Sequence, residues 1–179
     1  MTFNGTTDYI ETAGCPLSAG TQDFTVEGWF YPTVIAGTQY GRGLIYFHTG
    51  TTARFGLRTN GATGNLDVYM TDAAGTVQMA GGPGSNIAMS LNTWIHIAVV
   101  RTAGYVTIYF NGVNVGSSAL STTFALPAYT TTSIGYSTDG TTNTWAGNIE
   151  DLRVTNGIAR YTTNFSVPKA SFAITTVSA

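Results

Sequence analysis

Residues 94–116, WIHIAVVRTAGYVTIYFNGVNVG, decide the fold. IHIAVV and VTIYF are short runs rich in β-branched and aromatic residues, the composition of strands. Between VTIYF and VNVG stands Asn111-Gly112. That pair suits a two-residue type I′ hairpin turn, whose central residues both take positive φ. Ala103-Gly104 marks a second reversal. Three consecutive antiparallel strands are therefore predicted over residues 94–102, 105–110 and 113–117. IHIAVV and VTIYF are apolar on both alternating faces, so each face needs cover. A sandwich core covers one face. A loop of the same chain or a partner subunit must cover the other.

The rest of the chain repeats this pattern. Further strands are predicted at residues 2–3, 8–11, 24–31, 43–49, 54–59, 65–71, 77–79, 132–136, 148–155 and 172–174. Clusters of Gly, Asn, Asp and Thr separate them at 36–41, 60–64, 80–86 and 137–144. Helical periodicity is nearly absent; a short helical turn is expected only in IARYTTNF, residues 158–165. Many short strands broken by turn signals predict an all-β sandwich or barrel. No linker interrupts the chain, so one domain is expected.

The chain has 179 residues, of which only 9% are charged, against about 25% in an ordinary soluble protein. Its cations are Arg42, Arg54, Arg58, Arg101, Arg153, Arg160 and Lys169, and its net charge is −2. Without a basic stripe, nucleic-acid binding is excluded as an expectation, since that affinity rests on phosphate contacts. Hydrophobic residues make up 43% of the chain, enough for a core. No apolar run reaches the roughly 18–20 residues of a membrane span. The start, MTFNGTTDYIET, lacks the pattern of a secretory signal. Cys15 is the single cysteine, so neither an intrachain disulfide nor a CxxC metal motif can form.

Catalytic constellations are missing from the pattern. Glycoside hydrolysis needs two carboxyl groups flanking the bond, about 5–10 Å apart. The acids are Asp8, Glu11, Asp23, Glu27, Asp67, Asp72, Asp139, Glu150 and Asp151. Asp23 lies at the entrance to the strand that carries Glu27. Glu150 and Asp151 are adjacent, so strand alternation sends them to opposite faces. Cys15 has no histidine near it in sequence. His48 and His96 read as strand histidines. Trp29 and Trp94 read as core anchors. The expectation is a non-catalytic protein with no catalytic residues.

FNGTTDYIET (3–12), FTVEGWFYP (24–32), LNTWIHIAVVRTAGYVTIYFNGVNVGS (91–117), SIGY (133–136) and WAGNIEDLRVTNGIARY (145–161), in that order, resemble the laminin G-like domain of the concanavalin A-like lectin/glucanase superfamily. The resemblance implies a two-sheet antiparallel jelly-roll sandwich over residues 1–168. Residues 169–179 would then form a tail or an edge strand. The ending GIARYTTNFSVP (157–168) resembles copies in bacteriophage virion and tail-associated proteins.

The superfamily often holds Ca²⁺ with an acid on its last long strand and carbonyls from the N-terminal region. Here the matching position is Glu150, expected to point inward with Leu152 and Val154. Asp151 and Arg153 would lie on the other face. Members bind glycans or proteins, or hydrolyse polysaccharides. A sugar's C–H face packs on Trp or Tyr while planar polar groups bind its hydroxyls. Two loops supply that mixture: residues 36–42, with Gln39, Tyr40 and Arg42, and residues 136–145, with Tyr136, Asp139, Asn143 and Trp145. Trp145 also fits the start of the final core strand. Two functions compete. One is a virion-surface structural subunit, a capsid decoration or tail-associated protein, with weak glycan binding. The other is a stand-alone, extracellular glycan-binding lectin. The domain-only length, the sparse charge and the doubly apolar strands favour the docked subunit, as a homo-oligomer or against other virion proteins.

Overall fold

A computed structural model describes residues 1–36, 41–79, 87–120, 124–137 and 143–169. The described residues form twelve strands: β1 (Thr2–Asn4), β2 (Ile10–Ala13), β3 (Phe24–Val34), β4 (Gly43–Thr49), β5 (Ala53–Thr59), β6 (Leu66–Thr71), β7 (Val77–Met79), β8 (Ile95–Thr102), β9 (Tyr105–Phe110), β10 (Val113–Ala119), β11 (Thr131–Ile134) and β12 (Ala146–Asn156). They build two six-stranded antiparallel sheets. One runs β1-β12-β3-β8-β9-β10 and the other β2-β11-β4-β5-β6-β7.

The deciding stretch folds as its pattern requires. Asn111 and Gly112 take φ of 51° and 79°, and Ala103 and Gly104 take 48° and 79°. β8, β9 and β10 pair in sequence. The Asn111 side chain also accepts the His96 backbone N–H at 2.9 Å, tying the turn to β8. β3 runs past its predicted end through Pro32, which lacks a donor. A bulge at Thr33, between the pairs Pro32–Gly147 and Val34–Ala146, accommodates it.

Strand alternation fills the space between the sheets. Phe24, Val26 and Phe30 join Ile95, Ile97 and Val99 from one side, and Phe47, Phe55, Leu57, Val68 and Met70 from the other. Phe24 meets Phe55 edge-on across the gap, with ring centroids 5.8 Å apart.

The opposite face of β8 and β9 is covered by the chain itself. Residues 157–168 run across it as a strap, without the helical turn expected there. Ala159, Tyr161 and Phe165 pack on Ala98, Val100 and Tyr109. The Tyr161 and Phe165 rings stack at 3.5 Å. Thr25 Oγ1 donates to the Ile158 carbonyl, and Phe165 N donates to the Gly112 carbonyl. Of the two covers the doubly apolar strands called for, the structure supplies the intramolecular one, so these strands give no support to a docking surface. The strand expected at 172–174 lies outside the described residues.

Gly112 therefore serves both the turn and the strap. A Cβ there would sit 2.0 Å from the Phe165 carbonyl oxygen, whereas one on Gly104, at the same φ, meets nothing within 4 Å. In urea unfolding, Gly104→Ala should lose about 1–2 kcal/mol, the cost of left-handed backbone. Gly112→Ala should lose measurably more. Equal losses would mean that the strap contributes nothing at this turn.

Candidate functional site

The outer face of β3 carries Glu27, Trp29 and Tyr31 at alternate positions. Across the ladder Glu27 faces Ala98 and Trp29 faces His96. Tyr31 packs on Trp94 with ring centroids 5.4 Å apart.

Glu27 anchors the strap. Its side chain is fully buried. Oε1 accepts from Arg153 Nε at 2.9 Å and Nη2 at 2.7 Å, and Oε2 accepts from Tyr161 Oη at 2.8 Å. His96 Nε2 lies 3.3 Å from Oε2, in contact but misaligned for a hydrogen bond. Burial alone would raise the carboxyl. The contacts with His96, Tyr161 and Arg153 outweigh it and hold the group below its ordinary value. Burial and the Glu27 charge push the Tyr161 hydroxyl up to about 12.

Past its anchor the strap becomes one wall of a pocket of about 450 Å³, lined by Trp29, Trp94, Glu150, Asp151, Val167, Pro168 and Lys169. Both tryptophans are half-buried pocket walls and not the expected core anchors. Their outward position follows from register, since Phe30 and Ile95 occupy the inward places next to them.

The expected placement of the two acids is also overturned. Glu150 pairs with Trp29, but Arg153 pairs with Glu27, so Asp151 and Leu152 together oppose Gly28. This β-bulge adds one residue and puts Asp151 at φ 49°, a conformation Asp tolerates better than most residues. Alternation is reset within it. Ile149 and Leu152 both pack on the core, Glu150 is exposed, and both acids line the pocket. Their carboxylates have no ion pair or hydrogen bond among the described residues. Arg153, expected on the solvated face, is the Glu27 partner.

The loop residues singled out from sequence do not form a platform. Tyr40 and Asp139, with Gln39, lie outside the described residues. Arg42, Asn143 and Trp145 come together but turn inward. Arg42 Nη1 donates to the Gly5 and Thr144 carbonyls at 3.2 and 2.7 Å. Asn143 is fully buried, with no hydrogen bond to its amide among the described residues. Trp145 is fully buried and meets Phe30 edge-on. Tyr136 is half-buried and stacks on Tyr9 at 4.9 Å.

A family model of the Concanavalin A-like lectin/glucanases superfamily, of the laminin G type, matches residues 4–160. The chain belongs to this superfamily. Its fold is shared with Domain 4 of AbnA, an extracellular arabinanase from Geobacillus stearothermophilus, in complex with arabinotriose. That likeness has 19% identity and a TM-score of 0.69, covering 88% of this chain and 70% of that one. It is shared with a heptameric SAP-like pentraxin from Limulus polyphemus at 18% identity, TM-score 0.58, over 86% and 73% of the two chains. It is shared too with the Botulinum neurotoxin serotype G binding domain at 14% identity, TM-score 0.61, over 85% and 38%. No curated protein sequence matches the chain.

Glu150, the position matched to the superfamily's calcium ligand, is not oriented as expected. Glu150 is exposed, not inward, and no group of three or more His, Cys, Asp or Glu side chains assembles among the described residues.

Removing Glu27 should take a buried carboxylate from Arg153, Tyr161 and His96. Glu27→Ala should lose about 3–5 kcal/mol, the range for breaking a buried pair, measured by denaturant unfolding. The folded carboxyl is held below its ordinary 4.5. Its contribution is therefore complete above that value and is lost as pH falls through the depressed folded value. Wild-type stability should drop on acidification below pH 4.5 more steeply than that of Glu27→Gln. Parallel acid limbs would overturn this assignment.

Proposed function

We propose that the chain is a non-catalytic glycan-binding domain whose sugar platform is the Trp29–Trp94 pocket. One observation carries the reading. Two indoles line a single surface pocket beside two carboxylates that have no ion pair or hydrogen bond among the described residues. Indoles supply flat apolar faces for sugar C–H groups, and carboxylates accept from hydroxyls. The arabinotriose held by Domain 4 of AbnA supports a saccharide ligand for this fold. That domain also belongs to an extracellular protein, in keeping with a ligand met outside the cell. No helix among the described residues is long and apolar enough to cross a membrane.

Hydrolysis finds little support. Glu27 is sealed under the strap, and Glu150 and Asp151 share one bulge on one wall. An acid and a base must flank the scissile bond from two sides. A glycan array followed by calorimetry tests the reading. Trp94→Ala should weaken binding of any captured glycan at least about tenfold, a stacking contact of roughly 1.4 kcal/mol. Binding unchanged by Trp94→Ala would place the site elsewhere.

A second reading, a subunit docked on a virion surface or on copies of itself, is favoured by apolar groups left exposed at sheet edges. Ile10 is 41% exposed on β2, and Val113 is 53% exposed at the start of β10. Native mass spectrometry showing a strict monomer would count against it. Calcium is separable. A bound ligand must raise the stability of the folded state, so an unchanged melting temperature with chelator is expected. A chelator-induced fall would assign a metal to the folded state.

A further inference from the structure

We propose that the Trp29–Trp94 pocket selects cationic saccharides, sugars carrying a protonated amine, over neutral and acidic ones; this rests on the glycan-binding reading of that pocket. The argument starts from the bulge in β12. A regular strand would have sent Glu150 and Asp151 to opposite faces. The extra residue and the left-handed Asp151 bring both to the pocket that Trp29 and Trp94 line. Bulges beside a site commonly re-aim a side chain.

The charges that face this pocket are few. Lys169 is its one cation among the described lining residues, set against two carboxylates. Arg153 and Arg160, the nearest other cations in sequence, are engaged elsewhere: Arg153 bonds Glu27 at 2.7 Å, and Arg160 Nε bonds Thr155 Oγ1 at 2.8 Å and lies 4.0 Å from Glu27. The wall therefore carries a net charge of −1. In a chain with so little charge, two adjacent carboxylates without partners among the described residues are a concentrated feature.

Indole faces and carboxylates share one preference. The ring quadrupole attracts a cation over its face, most strongly for Trp, and a carboxylate forms charge-assisted hydrogen bonds with an ammonium. Hydroxyls gain less from either group, and a uronic acid is repelled. An amino sugar satisfies the whole wall at once: its C–H face lies on an indole while its ammonium meets Glu150 and Asp151.

Two ligands separate this proposal from glycan binding in general. The tetramer of β-1,4-linked glucosamine and its N-acetylated counterpart have the same rings and linkages, and acetylation removes the charge. By calorimetry near pH 6 in low salt, the amine tetramer should bind at least about tenfold more tightly, one charged contact's worth. The preference should shrink as salt rises. Glu150→Gln and Asp151→Asn should each reduce it, and Asn suits the left-handed backbone at 151. Trp94→Ala should weaken both tetramers.

Equal affinity for the two tetramers, with both lost on Trp94→Ala, overturns the charge selection and leaves glycan binding standing. So does an amine preference that persists in the Glu150→Gln, Asp151→Asn double variant. Failure of these and every other saccharide to bind overturns both readings.

Discussion

The carboxylate of Glu27 is the interaction on which the rest depends. Burying an ionised group is costly unless partners replace its water. Here those partners come from three places in the chain: Arg153 on β12, Tyr161 on the strap and His96 on β8. Satisfying one charge therefore fixes three segments against β3. The strap lies where it does because Tyr161 must reach Glu27. The pocket has its second wall because the strap, once held there, continues through Val167 to Lys169. A structural ion cluster and a candidate binding site are joined in one stretch of backbone.

Much of this fold could be read from the sequence, because strand patterns and turn chemistry are local. The β8-β9-β10 meander rests on Asn111-Gly112 and Ala103-Gly104, and these sites adopt the backbone that their residues favour. The sites of error are those where tertiary pairing overrides alternation. Reading β12 as one uninterrupted strand gives the right phase for Leu152, Arg153 and Val154 and the wrong one for Glu150, because the bulge lies between. A signal was present. Ile149 and Leu152 are apolar residues three apart in a strand, which strict alternation cannot place on one face. The expected burial of Trp29 and Trp94 fails for a related reason. Size and apolarity suggest burial, but only the register between β3 and β8 shows which neighbours took the inward positions.

The scarcity of charge acquires a different meaning once the partners are visible. Arg58 bonds Asp67 at 2.9 Å, and Arg153 bonds Glu27. Arg42 and Arg101 cap backbone carbonyls. Such arginines act as internal ties, using a planar fork of donors that lysine lacks. The small charge inventory is directed largely inward, toward holding loops and strap on the sandwich. What remains outside, Glu150 and Asp151 among it, stands out by contrast.

The contact between Tyr161 and Glu27 closes a loop of 134 residues. Local hairpins such as β8-β9-β10 form early, whereas pairings distant in sequence must wait for the chain to be brought together. The strap can dock only after β3, β8 and β12 already lie side by side, since its anchor needs all three. The Trp29–Trp94 pocket is accordingly among the last features to exist as the molecule folds, and partly folded forms lack this candidate site.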